Sequence, residues 1–283
     1  MGAALRAQTA DEGLSSRNFD VLSRYIYDYS GIKMPISKQT MLEGRLRRRL
    51  QATGVPNLND YCDYLFKRGG IDREAIFLID SVTTNKTDFF REPKHFDYMV
   101  RAALPEMAAA GHRRLRVWSA ACSTGAEPYT LAMLLQDFVE TTPGIDYRIL
   151  ATDLSTTVLQ TAHRGIYPRE MVHPVPIEMQ RRYVMTARDP SHGDVRIHPH
   201  LRSTIGFARM NLMDSPYKVG EPMHMIFCRN VLIYFDKQTQ AKVLSRLCDC
   251  LVPGGFLYIG HSETVAGVSL PVHQVANTIF KKI

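Results

Sequence analysis

The sequence predicts an α/β protein with a small N-terminal helical domain over 14–88 and a second domain over 89–283 that carries a small antiparallel insertion near 180–208. Three observations carry this reading. Apolar residues recur at helical spacing from Ser16 to about Asp88. Beyond Arg114, short apolar runs suited to buried strands alternate with helical stretches, the pattern of a mostly parallel sheet covered on both faces. Between Gly165 and Arg209 that alternation lapses into brief strand-like runs.

Phe19, Leu22, Tyr25, Ile26 and Tyr29 stand three and four apart, which predicts a first helix with Ser16 as its cap and Gly31 as its stop. A second helix is expected from Ser37 to Thr53, closed by Gly54 ahead of Pro56. A third runs from Leu58 to Arg68, and a fourth from Asp72 to Val82. In the second domain, strands are expected at Leu115–Ser119, Tyr147–Thr152, Met223–Cys228 and Phe256–Gly260, with helices at Pro128–Val139, Ser155–Arg164 and Lys237–Leu251. Short strands are expected at Arg181–Met185, Asp194–Ile197 and Ile205–Ala208, the first two joined as a hairpin through Asp189 to Gly193. Residues 1–13 read as a loose tail.

Composition narrows the class. Hydrophobic residues are 45% and charged residues 22%, which excludes wholesale disorder, a collagen helix or a coiled-coil rod. No window approaches a transmembrane run, the N-terminus does not read as a signal peptide, and the Met-Gly start lacks a lipidation pattern. The five cysteines are scattered without a C-x-x-C, and no histidine spacing suggests a metal site. The expectation is therefore a cytoplasmic protein with no metal and no direct membrane insertion. The net charge of +7 points to acidic partners.

Val117 to Tyr129 reads as a strand, a turn of small residues and a helix, which lets a ligand approach the backbone at the carboxyl end of a sheet strand. A tight structural turn is the bland alternative. The dinucleotide fingerprint and the P-loop are both absent. Asp153 ends the second strand, where an acid either accepts hydrogen bonds from the ribose hydroxyls of an adenosine ligand or caps the next helix. Arg229 and Asn230 end an apolar strand and would face the same edge, and Tyr234 is either a core tyrosine or part of the site. Arg91, in Thr83 to Glu92, lies in a hinge or aims its guanidinium fork at a carboxylate.

Asn85-Lys-Thr-Asp-Phe-Phe-Arg91, Ser119-Ala-Ala-Cys-Ser-Thr-Gly-Ala-Glu-Pro-Tyr129, Phe227-Cys-Arg-Asn-Val-Leu-Ile-Tyr-Phe-Asp236 and Gly260-His-Ser-Glu263 together resemble the CheR chemotaxis receptor methyltransferases. The resemblance runs from about Phe19 to Phe280 and keeps the family's motif order. It implies a Rossmann-like methyltransferase domain that uses S-adenosylmethionine to methylate glutamates on chemoreceptor signalling helices, leaving S-adenosylhomocysteine. By motif, it implies that Asn85, Thr87 and Arg91 close the cofactor site. Glu127 would hold the methionine part, Asp153 the ribose, and Asn211 with Leu212 the adenine. Arg229 and Asn230 would line the cleft, with Tyr234 near the methyl, so that Arg91 and Tyr234 are the catalytic candidates. The insertion corresponds to one that grips a receptor C-terminal peptide in some members. Here its hairpin holds one glycine where peptide-binding members hold more, which argues against that tether. Lys86 and Asp88 also depart from the apolar or small residues usual there.

A glutamate carboxylate is ionised at neutral pH, so this transfer needs no general base and rests on positioning and water exclusion. Arg45, Arg47, Arg48 and Arg49 form a basic run on the second helix, either a solvated face or a docking stripe for glutamate-bearing receptor helices. Two other readings stand beside this one: a nucleic-acid methyltransferase, favoured by the basic charge but lacking an aromatic-interleaved basic stripe, and a non-catalytic S-adenosylmethionine-binding adaptor. The protein is expected to be a monomer.

Overall fold

The computed structural model describes residues 13–187, 189 and 193–283. The expected tail through Glu12, with its Met-Gly start, and Arg188, Pro190, Ser191 and His192 of the expected hairpin loop lie outside the described residues. The chain divides into two compact units between Thr83 and Thr84.

The first unit contains α1 (Ser16–Ser30), α2 (Gln39–Thr53), α3 (Leu58–Lys67) and α4 (Ile71–Val82). Ser15, one residue before the expected cap, accepts from the Asn18 amide, and Gly31 closes α1 in the left-handed conformation. Phe19, Leu22, Ile26, Leu42, Leu46, Leu65 and Leu78 form the buried apolar faces of these helices. Two of the four arginines predicted to bind a partner turn into the fold. Arg45 donates to the Val82 and Thr83 carbonyls at 2.6 and 3.0 Å, satisfying the open end of α4. Arg49 makes a two-pronged ion pair with buried Glu74 at 2.7 and 3.0 Å, and Tyr61 donates to the same carboxylate. Arg47 and Arg48 are exposed.

The second unit opens with α5 (Pro93–Tyr98), a wide π turn at Met99–Ala103, and α6 (Leu104–Ala109). The alternating part follows: β1 (Arg114–Ala120), α7 (Ala126–Thr141), β2 (Asp146–Asp153) and α8 (Thr156–Arg164). The irregular stretch comprises β3 (Ile166–Pro168), α9 (Ile177–Tyr183), β4 (Val184–Thr186), β5 (Asp194–Ile197), α10 (Pro199–Ser203) and β6 (Ile205–Arg209). The chain closes with β7 (Met223–Cys228), α11 (Lys237–Asp249), β8 (Leu251–Ile259), β9 (Val272–Ala276) and β10 (Ile279–Lys282).

Seven strands form one sheet in the order β6-β2-β1-β7-β8-β10-β9. The first five are parallel to their neighbours, while β10 runs antiparallel to both β8 and β9. The connections diverge on either side of β1, towards β2 on one side and β7 on the other. The carboxyl end of β1 is therefore the switch point at which open sheets of this kind bind ligands. The central strands carry the core: β7 is buried at every position, and Phe227 stacks on Tyr258 with ring centres 4.1 Å apart.

The structure corrects three expectations. Ile205–Ala208 is a strand, but it pairs parallel with β2 at the edge of the main sheet and is not part of the insertion. Arg181 to Tyr183 finish a helix, and only Val184 begins a strand. The small sheet is instead β3-β5-β4, antiparallel throughout, so it takes in Ile166–Pro168, upstream of the expected 180–208. Short strands read the same in sequence whichever neighbour they pair with, and pairing is what separates these cases.

Tyr167 in β3 reaches back to the turn after β1, donating to the Thr124 carbonyl at 2.6 Å. It fills the space beside Gly125, where a Cβ would lie 2.9 Å from the Tyr167 hydroxyl and 2.9 Å from the Ala162 Cβ, and Gly125 itself has φ 95°. Gly125→Ala meets both a left-handed backbone and a filled space. It should lower stability in urea unfolding by ~2–4 kcal/mol, whereas an unchanged midpoint would mean the turn relaxes freely.

Candidate active site

The turn after β1 is drawn together by backbone bonds. The Cys122 amide donates to the Thr152 carbonyl at 2.9 Å, pinning the turn to the end of β2. Trp118, fully buried in β1, donates its indole N–H to the Thr152 hydroxyl at 2.9 Å. Asp153 follows at once. Its Oδ2 accepts the Ser123 amide at 2.8 Å and its Oδ1 the Ser155 amide at 2.9 Å. The cap of α8 is Ser155, so the alternative reading of Asp153 as the helix cap does not hold. The Ser123 hydroxyl donates to the Asn85 carbonyl at 2.8 Å and thereby ties the 84–92 segment to the same turn.

A second cluster forms where β7 ends. The Arg229 side chain is only 2% exposed. It donates to Glu92 Oε2 at 2.9 Å, to Glu127 Oε2 at 2.9 Å, and closely to the Arg91 carbonyl. Glu127 begins α7 and also accepts from the Ser119 hydroxyl at 2.6 Å. Glu92 takes further bonds on Oε1 from the Asn230 side-chain amide at 3.1 Å and the His261 amide at 3.2 Å. Burial opposes ionisation of Glu92, but the bonds from Asn230 and Arg229 prevail and bring its carboxyl down to about 2. Burial pushes the Glu127 carboxyl up, against the pull of Arg229 and Ser119. His95, beside Arg229 and almost fully buried, is lowered to about 4, chiefly by burial, and is neutral at physiological pH. Burial also raises the Cys122 and Cys228 thiols far above their usual range, so neither serves as a nucleophile.

Five non-glycine residues with left-handed backbone lie along these segments: Phe90, Glu92, Ala121, Ser123 and Asn230, with φ between 51° and 64°. Each such residue costs of order ~1–3 kcal/mol, and such strain clusters at functional sites.

Arg229, Asn230 and Glu127 are thus brought into one hydrogen-bonded group, and Asp153 is joined to Asn85 through Ser123. Arg91 contributes its carbonyl to Arg229, while its side chain donates to the Lys86 carbonyl at 3.1 Å. Thr87 is half-buried in the same segment. Asn211 and Leu212 follow β6, where the Met210 amide bonds to the Asp153 carbonyl at 3.0 Å and Asn211 accepts from the Met213 amide. Tyr234 is half-buried and ends a 3-10 turn, Leu232–Tyr234, beyond β7. Arg45, Arg47, Arg48 and Arg49 belong to the first unit. Sequence reasoning did not single out Glu92, Ser119, Ser123 or His261. The signal for Glu92 was its place between Arg91 and Pro93, at the start of a helix with proline in its first turn. Among the described residues, Glu92, His95 and His261 place ligand atoms within 4.8 Å of one another. A cation there would meet the Arg229 guanidinium already seated on Glu92.

A switch-point turn of small residues, flanked by a carboxylate at the end of the neighbouring strand, defines a nucleoside-cofactor-binding α/β domain. Comparison with known proteins makes the class specific. Residues 17–83 match the CheR methyltransferase all-alpha domain, and residues 85–280 match the CheR methyltransferase SAM binding domain. The chain is 40% identical to the chemotaxis protein methyltransferase of Escherichia coli, over 88% of this chain and 85% of that one. It is 36% identical to the protein of the same name from Borreliella burgdorferi, over 88% of this chain and 89% of that one. It is 35% identical to chemotaxis protein methyltransferase 2 of Pseudomonas aeruginosa, over 93% and 92%. The chain belongs to the CheR methyltransferase family, and its second unit is an S-adenosylmethionine-binding domain. Among the described residues, no helix is long and apolar enough to cross a membrane.

Arg229→Met would leave two largely enclosed carboxylates without their partner and should cost ~3–5 kcal/mol at neutral pH. The Glu92 carboxyl is held at about 2 against an ordinary 4.5. Its stabilising contribution is complete above the ordinary value and is lost as pH falls towards 2. Denaturation from neutral to acid pH should therefore show the wild-type advantage over the variant shrinking below about 4.5. An advantage constant with pH would contradict the pairing.

Proposed function

We propose that this chain transfers a methyl group from S-adenosylmethionine to glutamate side chains on the cytoplasmic helices of chemoreceptors, as a protein-glutamate O-methyltransferase. Family membership and the names of its relatives support the methyltransferase and chemotaxis parts of the reading. The observation that carries the site assignment is Asp153, whose carboxylate stands at the switch point and accepts the Ser123 and Ser155 amides. The donor set suits the cofactor: Asp153 would take the ribose hydroxyls, and Asn211 with Leu212 would flank the adenine. The charged group of Glu127, Arg229 and Asn230 would hold the methionine end, with Asn85, Thr87 and Arg91 closing over it.

When bound, the cofactor supplies a methyl on a sulfonium. The products would be a methyl ester on the acceptor carboxylate and S-adenosylhomocysteine. The chain's own contribution is placement. Arg229, fixed by two carboxylates and a carbonyl, gives the site rigid walls, and the buried strand ends beneath it exclude water. Tyr234, at the end of its turn, would pack beside the transferred methyl, and Arg91 would orient one of the carboxylates. Ionisation of the acceptor needs no base. Arg47 and Arg48 are the exposed members of the basic run and would meet the acidic face of a receptor helix, a contact that salt weakens.

Incubation with radiolabelled S-adenosylmethionine and a chemoreceptor cytoplasmic fragment should put alkali-labile label on receptor glutamates. Calorimetry should show both S-adenosylmethionine and S-adenosylhomocysteine binding, weakened roughly 10- to 100-fold in Asp153→Ala by the loss of charged hydrogen bonds. Label on RNA instead, or cofactor binding without transfer to any acceptor, would overturn the reading.

A further inference from the structure

The strands β7 and β8 lie side by side and in parallel, and the segments leaving their carboxyl ends touch. At Gly260 an added Cβ would lie 2.6 Å from the Asn230 side-chain nitrogen and 2.8 Å from its backbone nitrogen, so the crossing admits no side chain there. One carboxylate joins the two segments. Glu263 Oε2 accepts from the Asn230 amide at 3.0 Å and the Gly260 amide at 2.6 Å, and Oε1 accepts from the Leu232 amide at 2.7 Å. The residue is 7% exposed.

These three donors are not interchangeable with an ordinary loop bond. Asn230 is in the left-handed conformation at φ 58°, which a non-glycine residue keeps only where its surroundings enforce it. In that conformation its side chain donates to Glu92 Oε1 at 3.1 Å. The Leu232 amide opens the 3-10 turn whose last residue is Tyr234, and the Tyr234 amide in turn bonds to the Val231 carbonyl. A bond at Leu232 therefore fixes the turn that presents Tyr234.

We propose that Glu263 is a positioning residue for methyl transfer: by binding the amides of Asn230, Leu232 and Gly260 in one buried carboxylate, it sets the strand-end conformation that aims Asn230 and Tyr234 into the site. The proposal rests on the methyltransferase reading above. Glutamine at this position is nearly isosteric but offers only one acceptor oxygen. Its NH₂ would face a backbone N–H, leaving at least one of the three amides without a partner.

The test compares Glu263→Gln, Tyr234→Ala and the double variant in methyl transfer to a chemoreceptor fragment, with S-adenosylmethionine calorimetry and thermal melting on each. Misplacement of reacting groups predicts a kcat lowered roughly 10- to 100-fold in Glu263→Gln, with cofactor affinity falling less. The Glu263 and Tyr234 losses should overlap, so that the double variant is less impaired than the product of the singles. Gly260→Ala, which pushes on the same turn while keeping the carboxylate, should lose kcat similarly and carries the test if Glu263→Gln does not fold. A lower melting temperature with unchanged kcat, losses that multiply fully, or a Tyr234→Ala variant as active as the wild type would each overturn the proposal. A wild-type protein that binds cofactor yet methylates no acceptor would instead sink the reading on which it rests.

Discussion

Arg229 sits at the end of β7 with almost no solvent contact, and three acceptors from two parts of the chain converge on its guanidinium: Glu92 and the Arg91 carbonyl from the segment before α5, and Glu127 from the first turn of α7. A buried guanidinium is costly unless its donors are met by fixed acceptors, and here two carboxylates and a carbonyl meet it. The reverse also holds in part: Arg229 joins the Asn230 and His261 donors in keeping Glu92 ionised, and it opposes the rise that burial imposes on Glu127. The strand end, the helix start and the crossing segment are thus held in one arrangement. A site made this way is placed before any ligand arrives.

The rest of the sheet serves that placement. The parallel order puts β1 and β7 side by side and sets their carboxyl ends at the switch point. Trp118 and Cys122 lock the turn after β1 to β2, which brings Asp153 against Ser123. Tyr167 of the small sheet supports the same turn from behind, through Thr124 and the space beside Gly125. A carboxylate at one end of the site and a charged triad at another are what a nucleoside carrying an amino acid asks of its pocket.

Much of this was legible in the sequence because it depends on local rules. Helical spacing placed α1 to α4, apolar runs placed β1, β2, β7 and β8, and the strand-end positions of Asp153 and Arg229 set them at the sheet's carboxyl edge, while Glu127 came only with the family resemblance. What was not legible depends on tertiary partners. Arg45 and Arg49 look like a solvent-facing basic stripe until Val82, Thr83 and Glu74 are found beside them. Ile205–Ala208 shows the alternation of any short strand, and only pairing with β2 assigns it to the main sheet. Glu263 ends the Gly260–Glu263 motif and Glu92 stands beside Arg91, but neither position shows which donors its carboxylate meets. Their roles follow from left-handed backbone at Glu92 and Asn230, which single-sequence patterns do not reveal for non-glycine residues.

In the proposed site, the geometry of the Arg229 fork, and not its charge alone, holds the cofactor-binding residues in place. Calorimetric titration of S-adenosylmethionine into Arg229→Lys tests it most directly, since lysine keeps the cation but cannot bridge two carboxylates and a carbonyl in one plane. The account predicts a folded variant whose cofactor affinity falls by roughly tenfold or more, on the scale of one lost charged hydrogen bond. Binding as tight as that of the wild-type protein would contradict it.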